Sequence, residues 1–270
     1  MCANVVNTGS AGSAGAELHG KVAIVTGASR GIGQAIALRL AADGAKLVIT
    51  ARTVDSLADS AGSILRAGGA VECVATPDGN ADRVVKAALD RFARIDILVN
   101  NAGTTKGGAF LSLTDEDWAD GFETKMFAAM RLCRAAWPAL RAQGGSIVNI
   151  AGAGGRTPDA LFTMGGSVNA AVMAFTKALA QLGIEDGIQV NAVNPGFVKT
   201  GRLTRRIAEA AERWQVPLEQ AEHRMYVEQK ISGFSLPGEI AEIIAFIVSS
   251  KGRVFQGALI DADAGYTKGV

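Results

Sequence analysis

Short runs of apolar, mostly β-branched residues recur along the chain from residue 20 onward. They are apolar at almost every position rather than at alternate positions, which is typical of strands buried on both faces of a parallel sheet. Six runs predict strands: VAIVT (22–26), KLVIT (46–50), DILVN (96–100), SIVNI (146–150), QVNAV (189–193) and ALIDA (258–262). A weaker run, AVECVAT (70–76), predicts a further strand between the second and third of these.

The intervals between these runs carry apolar residues at helical spacing. One helix is predicted by Ile32, Ile36 and Leu40, which recur at every fourth position. Another is predicted by the isoleucines of 240–247, which follow Pro237 at a plausible helix start. A third apolar face consists of Phe122, Met126, Met130, Cys133 and Trp137. Strands that alternate with helices predict one α/β domain, a Rossmann-like doubly wound parallel sheet with right-handed crossovers.

Two segments lie outside this alternation. Residues 1–19 are small and polar and lack the apolar stretch of a secretory signal, so they are predicted to form a disordered leader before a domain at 20–270. Residues 200–236 lack strand character, carry mixed charge and lie between the sixth and the last strand. A long segment of this kind in a compact domain predicts a mobile lid over a substrate site.

The composition excludes several classes of partner. Lys and Arg number 27 and Asp and Glu number 26, so the chain lacks the basic excess that nucleic acid or an anionic membrane surface would require. No apolar run reaches the roughly 20 residues that span a bilayer. The three cysteines and two histidines show no metal-ligand spacing: Cys2, Cys73, Cys133, His19 and His223. We therefore expect a cytoplasmic protein with reduced thiols and no structural metal.

A glycine-rich turn joins the first strand to the first helix in IVTGASRGIGQAIALRL. Gly27 permits a tight turn, Gly31 leaves room for a pyrophosphate, and Gly33 allows close packing of the helix. The start of the helix then offers free N–H groups and the positive end of its dipole to phosphates. The alternative is a tight turn that binds no ligand. The same turn contributes Ser29, Arg30 and Ile32 to the predicted dinucleotide site.

The end of the second strand bears on the choice of cofactor. An acidic residue there would bind the ribose 2′-hydroxyl of NAD, but Ala51 occupies that position and Arg52 follows it. Arg52, together with Arg30 in the glycine turn, can pair with a 2′-phosphate. The alternative is two solvated surface arginines. The pattern favours NADP(H) over NAD(H).

Several motifs together resemble the short-chain dehydrogenase/reductase family over residues 20–268. They are TGASRGIG (26–33), NNAG (100–103), NPGFVKT (194–200) and DADAG (261–265). The resemblance implies a homodimer or homotetramer built through the long helices at 115–142 and 161–183. It further implies that the cofactor is bordered by Asn101, Ala102, Gly103, Pro195, Gly196, Val198 and Thr200.

The family usually performs its chemistry with Asn, Ser, Tyr and Lys, and the resemblance shows none of the four at its usual position here. The tyrosine is the general acid and base, the lysine lowers its pKa, the serine orients the carbonyl, and the asparagine holds a relay water. Gly152 occupies the serine position and Gly165 the tyrosine position. Lys125 stands at the asparagine position and Asn169 at the lysine position, so these two residue types are exchanged.

Three functions fit this pattern. The first is an NADP(H)-dependent oxidoreductase that interconverts a carbonyl and an alcohol, with Lys125 polarising the carbonyl and Asn169 lining the pocket. Its proton could come from Tyr226 in the lid, although lid packing alone would also explain that residue, while Tyr266 is expected to be remote. The second is a lyase or aldolase-like enzyme that forms a Schiff base on Lys125. The third is an NADP-binding pseudoenzyme. Trp214 and the scarcity of polar pocket residues favour an apolar small-molecule substrate.

Overall fold

The computed structural model describes residues 17–269. The predicted leader therefore lies mostly outside the described residues, but its last part does not. Leu18 is only 2% exposed and packs into the main apolar core. Its backbone N–H donates to the carbonyl oxygen of Asp43 at 3.0 Å. The folded unit thus begins before residue 20, because one apolar side chain in a polar segment is enough to anchor it.

Seven parallel strands form one sheet, and every predicted strand is present. They are β1 (Val22–Thr26), β2 (Lys46–Ala51), β3 (Val71–Ala75), β4 (Ile97–Asn100), β5 (Ser146–Ile150), β6 (Gln189–Pro195) and β7 (Leu259–Ala262). Their order across the sheet is β3-β2-β1-β4-β5-β6-β7. The order reverses between β1 and β4, and in sheets of this kind ligands bind at the carboxyl ends of the strands beside that point. The Rossmann-like fold is confirmed.

Nine α-helices lie within residues 17–269. They are α1 (Gly31–Ala42), α2 (Ala58–Arg66), α3 (Ala81–Phe92), α4 (Asp115–Gly121), α5 (Ala128–Arg141), α6 (Thr163–Asp186), α7 (Gly201–Trp214), α8 (Leu218–Glu228) and α9 (Pro237–Val248). Helices α1, α2 and α9 cover one face of the sheet, and α3, α5 and α6 cover the other. In the part of the chain that the structure describes, no helix is both long and apolar enough to cross a membrane.

The third predicted helical face is interrupted by a π-helical turn. Residues Phe122–Phe127 form this turn between α4 and α5. A π-helical turn widens the helix locally and changes the direction of the side chains on it, and such turns are frequent at functional sites. Lys125 lies inside this turn. The apolar periodicity of the sequence does not reveal the turn, because the residues on both sides of it are helical.

The segment predicted as a lid contains two helices, α7 and α8. They pack on each other through a small apolar cluster that includes Leu203, Ile207 and Ala221. A bridge between Val198 and Ser235 connects the two ends of this segment to each other. The segment is therefore a helical hairpin that lies beside the carboxyl ends of the strands. Its mobility stays a prediction.

The two described cysteines are structural in character. Cys73 is half-buried and Cys133 is buried. Burial raises the pKa of the Cys133 thiol to about 12, and Asn100 Nδ2 donates to its sulfur at 3.2 Å. The Cys133 thiol therefore remains protonated at neutral pH. Between residues 17 and 269, no three His, Cys, Asp or Glu side chains are grouped so that they could hold a metal ion.

Candidate active site and cofactor cleft

The glycine turn has the shape that a bound diphosphate requires. Gly27 and Gly31 have φ values of +66° and +60°, which a residue with a side chain rarely adopts. A Cβ at Gly33 would collide with the carbonyl group of Gly27, so α1 can approach the turn only with glycine there. The side chain of Arg30 does not cap α1, which leaves the first N–H groups of the helix free for an anion.

The segment after β4 is tied to this turn by hydrogen bonds. Thr26 Oγ1 accepts the backbone N–H groups of Asn101 and Ala102, both at 2.9 Å. Asn101 Nδ2 donates to the carbonyl oxygens of Thr26 at 2.9 Å and Gly27 at 3.3 Å. Gly103 has a φ of +124°, and a Cβ on it would lie 2.7 Å from Lys125 Cβ. The predicted motif therefore links the glycine turn to the candidate catalytic lysine.

The segment after β6 closes the cleft from the other side. Thr200 lies over the glycine turn, since a Cβ on Gly31 would be 3.1 Å from Thr200 Cγ2. Gly196 is pressed against Asp263, and a Cβ on Gly196 would lie 2.8 Å from Asp263 Cβ. Pro195 and Val198 are buried. The three predicted cofactor segments thus meet at one edge of the sheet, with Thr200 directly over Gly31.

The two arginines predicted to select the cofactor lie at the same edge. β1 and β2 are paired in parallel, with Thr26 opposite Thr50, so the residues that follow both strands emerge side by side. Arg30 and Arg52 are exposed, and neither forms an ion pair with any residue in the described range 17–269. Their guanidinium groups are accordingly available to a phosphate on the adenosine ribose.

The exchanged lysine and asparagine are in direct contact. Lys125 Nζ donates to Asn169 Oδ1 at 2.6 Å and also to the carbonyl oxygen of Ala151. Burial, together with a smaller effect of the positive charge of Arg202, lowers the pKa of Lys125 from 10.5 to about 8. The structure therefore brings together two residues that are 44 positions apart and gives the ammonium group a pKa close to neutral pH.

The amide of Asn169 has its orientation set by Lys125. Because Oδ1 accepts from the ammonium group, Nδ2 points the other way, and a Cβ on Gly152 would lie 2.8 Å from it. Asn169 is 4% exposed as a whole residue, and its Nδ2 donates to no protein acceptor within 17–269. The amide N–H groups thus occupy the place where the serine side chain of the family would begin. Gly152, with φ +140°, leaves room for them.

Phe162 fills the space at Gly165, the position predicted to correspond to the family's tyrosine. A Cβ on Gly165 would overlap the Phe162 ring, and a Cβ on Gly154 would lie 3.1 Å from Phe162 Cδ1. The ring therefore lies between two glycines: a side chain at Gly165 would overlap it, and one at Gly154 would displace it slightly. Sequence reasoning missed Phe162 because no motif marks it; the only signal is the unusual number of glycines at 152–166.

Neither tyrosine is bonded to Lys125. The Tyr226 hydroxyl shares a hydrogen bond of 2.6 Å with His223 Nδ1, and its ring packs edge-on against Phe234. Tyr266, which we expected to be remote, packs edge-on against Phe197 beside the nicotinamide-side segment, at 5.4 Å between ring centroids. The proton role predicted for Tyr226 therefore gains no support from these contacts.

We expect Gly165→Ala to destabilise the protein because its methyl group would displace the Phe162 ring. Overpacking of this kind costs about 1–3 kcal/mol. In a Phe162→Ala background the same change should stabilise the protein, by up to about 1 kcal/mol, because alanine is a better helix former than glycine. Urea unfolding of the four variants measures both effects. Equal effects of Gly165→Ala in the two backgrounds would contradict the packing described here.

Comparison with known proteins places these features in context. The model of the short chain dehydrogenase family matches residues 21–211. The 3-oxoacyl-[acyl-carrier-protein] reductase of Vibrio cholerae is 34% identical over 251 residues, covering 92% of this chain and 98% of its own. L-Sorbose reductase from Gluconobacter frateurii, solved with NADPH and L-sorbose, has a TM-score of 0.89 at 34% identity and covers 94% of this chain and 98% of its own. The actinorhodin polyketide ketoreductase, solved with NADPH, has a TM-score of 0.85 at 30% identity, with 92% and 98% covered.

Proposed function

This chain belongs to the short-chain dehydrogenase/reductase family, and on that premise we propose that it is an NADP(H)-dependent oxidoreductase that interconverts a carbonyl group and an alcohol. The observation that carries the proposal is the contact between Lys125 and Asn169. This contact joins the Lys125 ammonium group, whose pKa is lowered, to the Asn169 amide, whose N–H groups have no protein acceptor. Both residues stand at positions predicted to correspond to catalytic residues of the family. The L-sorbose and polyketide reductases it resembles act with NADPH, as their complexes indicate.

The cofactor cleft fits a dinucleotide with a 2′-phosphate. The free N–H groups at the start of α1 would hold the diphosphate beside Gly31, and Thr200 would cover it. Arg30 and Arg52 would hold the 2′-phosphate, and segment 195–200 would lie against the nicotinamide. When bound, the cofactor supplies or accepts the hydride.

Lys125 takes the role of general acid. Two of its three N–H groups are held by the oxygens of Ala151 and Asn169, which leaves the third for a substrate oxygen. A pKa of about 8 lets the ammonium group give up its proton more readily than an ordinary lysine. In carbonyl reduction it donates this proton to the oxygen that becomes the alcohol. In the reverse direction the neutral amine accepts it.

Asn169 takes the role of the missing serine. Its Nδ2 lies against Gly152, which has no side chain, and it would donate a hydrogen bond to the substrate carbonyl oxygen. Its Oδ1 holds Lys125 in place at the same time. One residue thus orients the acid and binds the oxygen that receives the proton, which is the arrangement that electrostatic stabilisation of a developing alkoxide requires.

A lyase or aldolase-like reaction at Lys125 is the second candidate, and the lowered pKa is the observation that favours it. A Schiff base requires the neutral amine, which a pKa of about 8 makes available to a minor fraction at neutral pH. Borohydride added with a carbonyl substrate would then attach the substrate to Lys125. Trapping that occurs without any cofactor oxidation would favour this candidate over the oxidoreductase.

Assembly into a homodimer or homotetramer is part of the proposal. The long helices α5 and α6 carry the assembly surface in the family that the chain belongs to. Phe127, directly before α5, and Leu182 and Ile184 on α6 are exposed, by 42%, 47% and 66%. Burial of such residues against a second copy would stabilise an oligomer. Light scattering of the purified protein measures the state directly, and a monomer at micromolar concentration would contradict it.

The test of the proposed function combines binding and turnover. Titration of NADPH and NADH fluorescence measures affinity, and a panel of aldehydes, ketones and oxo acids in the same cuvette measures cofactor oxidation. Turnover that depends on NADPH and on Lys125 supports the oxidoreductase. Tight NADPH binding with no turnover would favour the pseudoenzyme, and binding of neither cofactor would overturn both.

Arg52→Gln is expected to weaken NADPH binding by roughly 10- to 100-fold, because one charge-assisted bond to the 2′-phosphate is lost. The Kd of NADH, which lacks that phosphate, should change less than twofold. Fluorescence titration of both cofactors gives the two values. The matched control is Arg66→Gln, which removes an exposed arginine that bonds Ser63 on α2. Equal weakening of both cofactors would show that Arg52 does not read the phosphate.

The pH dependence of carbonyl reduction should follow the Lys125 ammonium group. Its pKa is lowered to about 8, so the acid is present below that pH and is lost as the pH rises above it. We expect kcat/KM for reduction to be level below pH 8 and to fall about tenfold per pH unit above it. Alcohol oxidation should rise over the same range, because it needs the neutral amine. A reduction rate that is flat to pH 10 would contradict the assignment.

A further inference from the structure

Three large apolar side chains are exposed on the loops 101–114 and 151–162, which lead away from the candidate catalytic pair. They are Phe110, Leu111 and Leu161, exposed by 59%, 95% and 64%, and together they are termed the apolar rim. We propose that the substrate carries an unbranched hydrocarbon chain, which lies on the apolar rim while the carbonyl group meets Lys125 and Asn169. This inference rests on the proposed function and names the substrate class for the same site.

The first loop connects Lys125 with the apolar rim. A Cβ on Gly103 would lie 2.7 Å from Lys125 Cβ, so this loop passes against the stem of the lysine. Five residues further on, the backbone N–H of Gly108 donates to the carbonyl oxygen of Leu161 at 2.8 Å. A stretch of five residues spans at most about 18 Å, even when it is fully extended. The rim therefore lies close to the lysine.

The second loop connects Asn169 with the apolar rim through the ring of Phe162. A Cβ on Gly154 would lie 3.1 Å from Phe162 Cδ1 and 3.7 Å from Asn169 Nδ2, so the ring and the amide are neighbours. The other edge of the ring faces the first loop, since a Cβ on Gly107 would lie 3.5 Å from Phe162 Cδ2. Leu161 directly precedes Phe162 in the chain. The half-buried ring thus continues the apolar surface from the rim to the catalytic pair.

Hydrogen bonds and close contacts within the two loops hold the apolar rim in its exposed position. Residues Phe110–Ser112 form a 3₁₀ turn that folds back on Gly108, where a Cβ would lie 3.4 Å from Ser112 Oγ. In the second loop, Asp159 Oδ1 accepts the backbone N–H of Leu161 at 2.7 Å. The exposure of these apolar side chains is therefore part of the fold. Exposed apolar residues that are grouped in this way are typical of a surface that binds an apolar ligand.

The charged side chains of the two loops are already engaged. They are Lys106, Arg156 and Asp159. Lys106 Nζ donates to both carboxylate oxygens of Asp117, at 3.0 and 2.8 Å, and Arg156 is paired with Asp261. A hydrocarbon chain on the rim would therefore leave these ion pairs intact and would gain the free energy of apolar burial. A hydroxylated chain would exchange its hydrogen bonds with water for contact with carbon, which is unfavourable.

The lid tryptophan is not the source of this preference. The apolar substrate that the sequence favours from Trp214 assumes that its ring faces the pocket. In the structure the guanidinium groups of Arg224 and Arg213 lie 4.1 and 5.3 Å from the centre of that ring. Trp214 is thus engaged by arginines of its own hairpin, and the apolar surface beside the catalytic pair is provided by the rim.

The experiment varies the chain length at a constant carbonyl group. Cofactor oxidation is measured with 2-butanone, 2-hexanone and 2-octanone, and with the aldehydes butanal, hexanal and octanal. Each series is measured with the wild type, with the double variant Leu111→Gln/Leu161→Gln and with Leu65→Gln. Leu65 is the matched control, because it is 58% exposed and lies on α2, away from both loops. Glutamine keeps a long side chain at each position but makes it polar.

We expect kcat/KM of the wild type to rise roughly two- to fourfold for each added methylene group, as partial or full burial of that group requires. The double variant should lose most of this rise and keep its activity on the shortest substrate within twofold. Leu65→Gln should keep the wild-type rise, and the Kd of NADPH should stay within twofold in all three proteins. A wild-type rate that does not rise with chain length, or a rise that the double variant retains, overturns the proposal.

A second copy of the chain is the other possible occupant of the rim. Light scattering of the wild type and the double variant at equal concentration tests for it. A changed oligomeric state together with a retained chain-length dependence would identify the rim as a subunit interface and overturn the proposal.

If no carbonyl compound is reduced, the proposed function fails, and binding decides the role of the rim. Butanamide, hexanamide and octanamide carry a carbonyl oxygen and chains of increasing length. They are titrated into the NADPH complex by calorimetry. Binding that tightens with chain length in the wild type but not in the double variant supports the rim. Equal binding of the three amides, or binding of none, overturns it.

Discussion

Replacement of Lys125 by methionine should lower kcat/KM for carbonyl reduction by about 10²- to 10⁴-fold, the usual contribution of a general acid. Methionine fills the space of the lysine stem but has no proton to give. The Kd of NADPH should change little, because the ammonium group bonds to Ala151 and Asn169 and not to the glycine turn. Stopped-flow oxidation of NADPH with saturating substrate measures the loss in the chemical step.

Two matched variants separate proton donation from charge. Lys125→Arg keeps the positive charge but cannot release a proton, since the pKa of arginine exceeds 12. It should therefore lose nearly as much activity as the methionine variant. Lys86→Met, which removes an exposed lysine paired with Asp90, should retain wild-type activity. Full activity in Lys125→Arg would show that polarisation, rather than proton transfer, is the role of this residue.

Replacement of Asn169 by aspartate should lower kcat/KM by about 10²- to 10³-fold, the effect of removing one donor to a developing alkoxide. The carboxylate has the shape of the amide but presents an oxygen where Nδ2 faces Gly152. It also pairs with the Lys125 ammonium group and raises the pKa of that group above about 8. The pH above which the reduction rate falls should consequently rise by one unit or more.

This shift of the pH profile is the readout that a merely structural role would not produce. Ser167→Ala serves as the control on the same helix, because its hydroxyl bonds only to the carbonyl oxygen of Thr163. It should leave both the rate and the pH profile unchanged. Loss of activity in Asn169→Asp without any shift of the profile would indicate that Asn169 does not set the pKa of Lys125. Thermal melting of each variant with NADPH verifies that the fold is retained.

Much of the fold could be predicted from the chain because its signals are local. A strand buried on both faces must be apolar at nearly every position, and all seven such runs are strands. A turn between strand and helix that must admit a diphosphate requires glycine at fixed places. Gly27 and Gly31 do have positive φ values, and Gly33 has no room for a side chain.

The candidate site was predicted only as a set of positions. Alignment with the family placed Lys125 and Asn169 at active-site positions, but their contact stayed unknown. The orientation of the Asn169 amide depends on which of its two end atoms, Oδ1 or Nδ2, contacts the Lys125 ammonium group. The π-helical turn around Lys125 depends on the register of backbone hydrogen bonds, which no side-chain pattern reports. Phe162 was signalled only by the glycines at 152–166, and Arg202 carried no sequence signal.

The sequence by itself determined the parallel sheet, the glycine turn and the resemblance to the family, and it predicted that the family's four usual catalytic residues are absent. Each of these depends on residue types at short, regular spacing, where burial and backbone conformation leave few alternatives. Only the tertiary structure decided that Lys125 holds Asn169, that the Phe162 ring lies against Gly165 and that the positive charge of Arg202 helps to lower the pKa of Lys125. Lys125 and Asn169 lie 44 positions apart in the chain, and their contact depends on packing and desolvation that arise only when separate elements meet.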